Sequence, residues 1–332
     1  MLRDEVLALL KAREGKPLSG EEMSRALGVS RAAVWKAMES LRDEGYVISS
    51  APRRGYALEG SPDRLSAGEL AGALAGRRVG RALVCLETVD STNNEIKRRA
   101  ANGAPEGLAV LTDEQTGGRG RRGNTFQSLK GKGLYCSILL RPRLVLDLDK
   151  LSTLTAWVAV AVCDGIQAAC GVRPRIKWTN DIVLGGRKLC GILTELGLES
   201  ESNALDYLIT GIGVNVNQRP EDFLPEVRPI AVSLAQELGR PVRRADLAVE
   251  IIRALDRMYA GFPGNKAEYL ARYRADCLTP GNQVQLITPV SREEAFALEI
   301  DDQFRLVVEY PDGRRAALSA GEVSVRGMYG YV

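Results

Sequence analysis

The 332-residue chain contains no histidine, and this absence excludes several kinds of chemistry. Without histidine, Ser-His-Asp and Cys-His mechanisms are excluded, as are zinc sites that use a histidine ligand. Acid–base chemistry in this protein must therefore use lysine, aspartate, glutamate, tyrosine or water.

Cysteine is scarce and is not arranged for metal or redox chemistry. Six cysteines are spread along the chain, and no two of them form a Cys-x-x-Cys pair. Most lie in apolar runs, where cysteine usually behaves as a small buried hydrophobe. Free thiols fit a reducing compartment and the N-terminus lacks a signal-peptide pattern, so we expect a cytoplasmic protein. Because the cysteine spacing is not that of a metal site, we expect no tightly bound metal.

Long apolar runs and a strong charge of one sign are also missing. The longest apolar run, around residues 154–163, is too short to cross a bilayer, so we expect no membrane partner. The net charge of +3 is too small to predict nucleic-acid binding, and any basic surface must be local. The length and the 45% hydrophobic content predict two or three domains with substantial cores.

Residues 1–60 have the pattern of a winged helix-turn-helix domain. Apolar residues at helical spacing predict a first helix, and Ser19 with Glu22 makes a capping box for a second. After a tight turn, Ser30 is positioned to cap a third helix over about residues 31–44. In this motif the helix after the turn enters the major groove of DNA.

Two short strands, 46–49 and 55–58, follow these helices and flank a basic turn. The residues that we expect to contact DNA are Ser30, Arg31, Ala32, Lys36, Arg53 and Arg54. The alternatives are a winged helix that docks another protein and a small helical domain with no binding role. Because the segment is nearly charge-balanced, useful affinity for DNA requires two copies on a two-fold operator.

A glycine-rich basic loop, residues 117–133, lies between the strand-like segments 108–111 and 134–140. It holds five cations, no acidic residue and several glycines. Exposed backbone N–H groups and arginine forks suit a phosphate or acyl phosphate. The same composition also fits a solvated flexible loop. The strand-like segments on both sides favour a loop that closes over a ligand.

Other candidates have both a structural and a functional interpretation. The polar cluster 90–94 begins a helix, and it either caps that helix or recognises a polar small molecule. Residues 175–184 are typical of one strand with a polar interruption. Lys188 follows a glycine turn and is close in sequence to Asp181. It is either a surface lysine or a cation that stabilises the developing charge of an acyl phosphate.

The C-terminal part changes from a helical to a strand pattern. Residues 243–273 are expected to be helical, and short strands begin at about residue 276. A Pro-Asp-Gly turn at 311–313 marks a hairpin. These features predict a small β-barrel at the C-terminus.

Several short blocks occur together in an order that resembles a known family. They are Ser91-Thr92-Asn93, the Gly-Arg-Gly-Arg-Arg-Gly loop within 115–123, Lys177-Trp178-Thr179-Asn180-Asp181, the stretch 187–193, and the stretch 211–216. With the N-terminal winged helix, the chain resembles the bifunctional bacterial biotin protein ligases that also repress the biotin operon.

This resemblance implies an α+β multidomain fold. We expect a winged helix-turn-helix over 1–60, a mixed α/β ligase domain of the biotin/lipoate type over 64–275, and an SH3-like barrel over 276–332. The implied reaction condenses biotin and ATP, accompanied by Mg²⁺, to biotinyl-5′-AMP, and a lysine of biotin carboxyl carrier protein then takes the biotinyl group. The implied regulation is repression of biotin-synthesis genes by a homodimer that the adenylate promotes on operator DNA.

The resemblance also implies roles for individual residues. It implies biotin binding by Ser91, Thr92, Asn93, Gln115, Gly118, Arg119, Gly120, Arg121, Lys188 and Gly191. It implies ATP or adenylate binding by Arg119, Arg121, Arg122, Phe126, Asn180, Lys188 and Asn215. Lys188, Arg121 and Asp181 are the catalytic candidates, with Asp181 as a base for the acceptor lysine.

The chain departs from the family pattern at three positions. Thr179 stands where relatives usually have proline, and Asn124 and Phe126 stand where relatives often have arginine and tryptophan. Phe126 retains an aromatic face for stacking on adenine. Two alternatives stay open, namely a non-catalytic regulator that senses biotin and a lipoate ligase.

Overall fold

The computed structural model describes residues 2–51, 55–142, 148–198, 205–288, 291–319 and 324–327. Its N-terminal part consists of three helices and a hairpin: α1 (Leu2–Lys11), α2 (Gly20–Leu27), α3 (Arg31–Asp43), β1 (Val47–Ala51) and β2 (Gly55–Gly60). This is the predicted winged helix-turn-helix.

Local hydrogen bonds explain where these helices begin and end. The Ser19 hydroxyl accepts from the Glu22 N–H at 3.1 Å and the Glu22 carboxylate accepts from the Ser19 N–H at 3.0 Å, which is the predicted capping box. Ser30 caps α3 by accepting from Ala33 N–H. Gly28 ends α2 in the left-handed conformation, with φ of 66°.

The central part contains the elements α4 (Ala67–Leu74), β3 (Ala82–Val89), α5 (Thr92–Ala101), β4 (Leu108–Gln115), β5 (Gly133–Leu140), α6 (Leu148–Cys170), β6 (Arg175–Lys177), β7 (Asp181–Leu184), β8 (Arg187–Leu198), β9 (Leu205–Asn215), α7 (Leu234–Leu238), α8 (Arg244–Gly261) and α9 (Lys266–Asp276). Seven strands form one sheet in the order β3-β4-β5-β9-β8-β7-β6. Only β3 and β4 are parallel among these pairs.

The two faces of this sheet have different coverings. Helices α6 and α8 pack with alternate side chains of the strands, such as Ile212 and Val214 of β9. Helix α5 packs on the opposite face against Ile209 of β9 and Leu139 of β5. Because side chains alternate along a strand, Gly211 and Gly213 lie on the face that α5 covers only in part.

Two expectations about this central part were wrong. Residues 175–184 form a hairpin, with β6 antiparallel to β7 and Lys177 opposite Asp181, so the polar interruption is a turn. The helical stretch 243–273 is two helices broken at residues 262–265, where Pro263 lacks the N–H that a continuous helix needs. The apolar run near 154–163 lies within a longer helix that begins at Leu148 and ends at Cys170.

That helix is α6, and the window Thr153–Cys170 is long and apolar enough to cross a membrane. However, 72% of the window is buried inside the protein, against the sheet and α8. Its apolar character is therefore accounted for by the core.

The C-terminal part is a five-stranded antiparallel sheet in the order β13-β12-β11-β10-β14. The strands are β10 (Gln283–Ile287), β11 (Arg292–Ile300), β12 (Leu306–Glu309), β13 (Arg315–Leu318) and β14 (Ser324–Gly327). The turn 311–313 joins β12 to β13, as predicted. The small all-β unit agrees with the expected SH3-like fold, while the exact domain boundaries stay predictions.

Close packing of α6 on α8 generates a stability prediction. A Cβ added to Gly165 would lie 2.6 Å from the Ile251 Cα, so alanine there must separate the two helices. We expect Gly165→Ala to destabilise the protein by about 1–3 kcal/mol, as other overpacked cores do. The measurement is the midpoint of thermal unfolding by circular dichroism.

The matched control is Gly72→Ala in α4, where an added Cβ meets nothing within 4 Å. Alanine should stabilise this exposed helical position by roughly 0.5–1 kcal/mol. Equal unfolding midpoints for the two variants would contradict the close-approach explanation.

Candidate active site

A cavity of about 180 Å³ lies on the α5 side of the central sheet, between β8, β9 and the basic loop. The predicted residues that line it are Ser91, Thr92, Asn93, Gln115, Arg119, Gly120, Arg121, Phe126, Asn180, Asp181, Lys188 and Gly191. The fold thus brings together blocks that are up to about a hundred residues apart in the sequence.

One wall of the cavity is polar and uncharged. The Gln115 side-chain oxygen accepts from the Thr92 N–H at 2.9 Å and from its hydroxyl at 3.1 Å. The Gln115 amide donates to Ser128, and the Ser137 hydroxyl lies 2.7 Å from the Thr92 hydroxyl oxygen. Ser91 occupies the N-cap position of α5, but its side chain makes no capping bond. These groups offer donors and acceptors held in fixed positions.

The floor of the cavity is made of glycine backbone. Gly191 pairs with Gly213 across β8 and β9, and Gly211 pairs with Leu193. A Cβ on Gly213 would lie 2.7 Å from the Phe126 ring, and one on Gly211 would lie 2.3 Å from Asn93 Oδ1. Glycine is therefore required for the loop aromatic and the wall to approach the sheet so closely.

The other end of the cavity carries the charged groups. The Lys188 ammonium lies 2.7 Å from a carboxylate oxygen of Asp181. Arg121 of the basic loop donates to the Asn180 side-chain oxygen at 2.9 Å. Lys177 is buried and also lines the cavity. This end concentrates positive charge where an anionic ligand would bind.

Arg119 extends in a different direction from Arg121. It donates to the Asn94 side-chain oxygen at 2.5 Å and lies 3.6 Å from Glu195. Burial raises the pKa of Glu195, but hydrogen bonds from Lys97 and Asn93 outweigh it, so the pKa lies below its ordinary value. Glu195 is thus held as an anion beside Arg119.

Two predicted ligand residues do not line the cavity, and the side chain of a third is outside the described part. The Asn215 side chain is buried and donates to the Val232 carbonyl at 3.1 Å and to the Lys188 carbonyl at 3.4 Å, so it positions Lys188 from behind. An added Cβ on Gly118 would lie 2.3 Å from the Phe126 carbonyl, so this glycine shapes the loop. The side chain of Arg122 lies outside the described part.

Some lining residues had been given no ligand role from the sequence. Gly211 and Gly213 belong to the stretch 211–216 that the motif order had singled out, and both line the cavity. Val325 reaches the cavity from β14, and no local pattern connects it with a site so far away in sequence.

The predicted DNA-contacting residues of α3 are all accessible. Ser30, Arg31, Ala32 and Lys36 are exposed, whereas Arg53 and Arg54 lie outside the described residues. Trp35, which sequence reasoning missed, is 53% exposed on the same helix.

A protein-built metal centre is not evident in the described ranges. Among these residues, no three His, Cys, Asp or Glu side chains are grouped to hold a metal ion. Asp181 is the one carboxylate among the described lining residues.

Comparisons with known proteins agree with this geometry. Residues 85–215 match the biotin/lipoate A/B protein ligase family, and residues 3–57 match a helix-turn-helix (HTH) domain. The structure of Aquifex aeolicus biotin protein ligase in complex with biotin and ATP superposes with a TM-score of 0.64 at 26% identity, covering 74% of this chain and 99% of that one.

Sequence relatives extend over almost the whole chain. The chain is 36% identical over 320 residues to the bifunctional ligase/repressor BirA of Bacillus spizizenii, covering 96% of this chain and 97% of that protein. It is 31% identical to the protein of that name from Escherichia coli, covering 97% and 96%. The chain therefore belongs to the family of bifunctional biotin ligases and repressors.

Proposed function

We propose that the protein activates biotin with ATP to biotinyl-5′-AMP and transfers the biotinyl group to a lysine of biotin carboxyl carrier protein. The observation that carries this proposal is the cavity itself. It joins an uncharged wall of paired donors and acceptors to an end that contains Lys177, Lys188 and Arg121. A ligand with a neutral polar ring at one end and an anion at the other matches this division.

The wall favours biotin over lipoate. The ureido ring of biotin has two N–H donors and a carbonyl acceptor, whereas the dithiolane ring of lipoate has no comparable donor. Thr92 and Gln115 hydrogen-bond to each other, and Asn93 hydrogen-bonds to Glu195. A ureido ring can share in this network of donors and acceptors, whereas an apolar ring cannot. A site that is built to hydrogen-bond its ligand strongly rejects an analogue that lacks those groups.

In the first step the biotin carboxylate attacks the α-phosphate of ATP and pyrophosphate leaves. Two anions must approach, and Lys188 with Arg121 offsets their repulsion. The Lys188–Asp181 pair holds the ammonium beside the place where the new acyl-phosphate bond forms. Phe126, on the glycine floor, would cover the adenylate by stacking.

In the second step the amine of the acceptor lysine attacks the acyl carbon, an N–C bond forms, and AMP leaves with the bonding electrons. The attacking nitrogen must lose a proton. Asp181 is the described carboxylate in the cavity, and we assign it the role of receiving that proton.

Mg²⁺ is proposed to enter with the phosphates of ATP. The described residues offer no cluster of three ligands for it, which suits an ion that the nucleotide carries. It would neutralise phosphate charge while Lys188 and Arg121 act on the reacting oxygens.

The winged helix supports a second role in repression of biotin-synthesis genes. We propose that biotinyl-5′-AMP promotes a homodimer in which two copies of α3 contact a two-fold operator. We also propose a cytoplasmic location. All six cysteines lie in the described residues and none forms a disulfide, as in a reducing compartment.

The direct test is to incubate the protein with biotin, ATP, Mg²⁺ and a biotin carboxyl carrier domain and to measure the mass of the carrier. We expect one biotinyl group per carrier, attached to one lysine. An unchanged carrier mass under these conditions would contradict the proposed ligase.

Lys188→Ala should slow carrier labelling by on the order of 100-fold, because a cation that acts on developing charge is removed. Arg121→Gly should raise the KM for biotin and ATP for the same electrostatic reason. The measurement is the initial rate of carrier labelling by mass spectrometry.

The matched control is Lys266→Ala, which removes a lysine that donates to Gln303 on the protein surface, at 3.0 Å. This variant should label the carrier at the wild-type rate. If Lys188→Ala labels as fast as Lys266→Ala, the assignment of Lys188 is wrong.

Arg31→Ala should weaken binding to the DNA upstream of the biotin-synthesis genes by about tenfold or more, because an exposed cation at the start of α3 is lost. Fluorescence anisotropy with a labelled duplex, in the presence of biotin and ATP, measures the change.

Arg25→Ala is the control, since Arg25 lies on α2 and pairs with Glu21 at 3.2 Å. Its affinity for the duplex should stay near that of the wild type. Equal affinities of Arg31→Ala and Arg25→Ala would show that α3 does not contact DNA through Arg31.

A further inference from the structure

The turn between β6 and β7 is held from outside the central sheet. The Trp178 N–H donates to the Thr279 hydroxyl oxygen at 2.8 Å, and the Trp178 indole N–H donates to the Phe304 carbonyl at 3.0 Å. The Tyr273 hydroxyl donates to the Thr179 carbonyl at 3.2 Å. Each of these partners lies in α9 or in the C-terminal part.

These bonds lie in a region from which water is excluded. Thr279 is 3% exposed, Trp178 and Thr179 are each 4% exposed, and Tyr273 is fully buried. Burial raises the pKa of the Tyr273 phenol well above its ordinary value, so the hydroxyl keeps its proton and acts as a donor. A buried N–H that loses its partner has no water to replace it.

The same turn leads directly into the charged end of the cavity. Asn180 accepts from Arg121 at 2.9 Å and donates to the Ile192 carbonyl at 2.9 Å. Asp181 pairs with Lys188 at 2.7 Å. The positions of both catalytic cations therefore depend on where residues 180 and 181 lie.

We propose that Thr279 is a positioning residue for the adenylation step. Its hydroxyl fixes the Trp178 backbone, and the Trp178 turn in turn fixes Asn180 and Asp181 against Arg121 and Lys188. Thr279 itself does not line the cavity and touches none of the reacting groups. The C-terminal part thereby contributes to catalysis through the position of this turn. This inference rests on the proposed ligase function.

The effect on rate should be large because adenylation requires accurate alignment. Displacement of a reacting group by about 1 Å can lower a rate by about 100-fold. A smaller movement of the turn, caused by loss of one hydrogen bond, should lower kcat by roughly tenfold. The polar wall, which belongs to β4 and α5, is independent of this turn, so biotin affinity should fall by a smaller factor than kcat.

The test compares Thr279→Val with Thr279→Ser in the full-length protein. Biotin-dependent exchange of pyrophosphate into ATP gives kcat and KM, and isothermal titration with biotin gives the fraction of active sites. We expect Thr279→Val to lower kcat per active site by about tenfold, with a smaller loss of biotin affinity. Serine, which restores the hydroxyl, should bring kcat back to within about threefold of wild type.

Thr288→Val is the matched control in the same C-terminal part. The Thr288 hydroxyl lies 2.9 Å from the Ser291 hydroxyl oxygen, away from the turn, and its loss should leave kcat unchanged. A wild-type kcat for Thr279→Val, or a Thr279→Ser variant as slow as the valine variant, would overturn the proposal.

Tyr273→Phe gives an independent answer if Thr279→Val does not fold. It removes only the bond to the Thr179 carbonyl and keeps the ring, whose centroid lies 5.6 Å from that of Phe304. We expect a several-fold lower kcat at full biotin stoichiometry, and an unchanged kcat would contradict the proposal. Absence of exchange by the wild-type protein would contradict the ligase function, and the proposal for Thr279 would fall with it, whereas normal wild-type exchange with an unchanged variant kcat contradicts the role of Thr279 alone.

Discussion

Electrostatic repulsion between two anions is the constraint on which the proposed active site depends. A carboxylate and a triphosphate cannot approach each other in a water-excluded cavity unless positive charge is already in place. Lys188 and Arg121 would supply that charge, and each is held by a neighbour on β7 or the turn before it, Asp181 and Asn180 respectively. The absence of histidine is compatible with this chemistry, because the first step needs fixed charge and alignment and no proton transfer.

The rest of the fold supports this charged end. The glycine floor of β8 and β9 lets the loop aromatic Phe126 approach the sheet, and Asn215 ties the backbone of Lys188 to Val232. Arg244, with a 3% exposed side chain, pairs with Asp63 at 2.9 Å and with Asp113 at 2.6 Å. It thereby joins the segment after the winged helix to the strand that carries Gln115.

A second cluster of charges connects the winged helix to the central part. Glu69 of α4 has a fully buried side chain and pairs with Lys11 of α1 and with Arg243. Because Arg243 is next to Arg244 in the chain, the two clusters share a short segment at the start of α8. Because the Glu69 carboxylate is buried, loss of either cation would leave its charge less well compensated, and this favours the observed contact between the two parts.

Local features of the fold were predictable, and long-range ones were not. The capping residues Ser19, Glu22 and Ser30 act within three residues of their partners, so the helix starts of the winged helix could be predicted from the sequence. The hairpin of β6 and β7 was mistaken for one strand because Trp178 and Thr179 are typical strand residues, and the turn former Asn180 has no glycine or proline beside it.

Much of the candidate site was predictable from motif order, since its blocks recur together in relatives. Whether a predicted residue can contact a ligand also depends on its burial, which the motif order does not give. Asn215 resembles a ligand-binding residue in sequence, yet its side chain is enclosed by backbone carbonyls. Val325 and Thr279 act on the site through tertiary contacts that no periodicity reveals.

The most direct test of the central claim is pyrophosphate exchange into ATP with biotin and with lipoate offered separately to the wild-type protein. The polar wall and the charged end together predict rapid exchange with biotin and, with lipoate, exchange slower by at least about 100-fold. Comparable exchange with the two acids would contradict the role of the polar wall. Absence of exchange with biotin would contradict the account of the charged end.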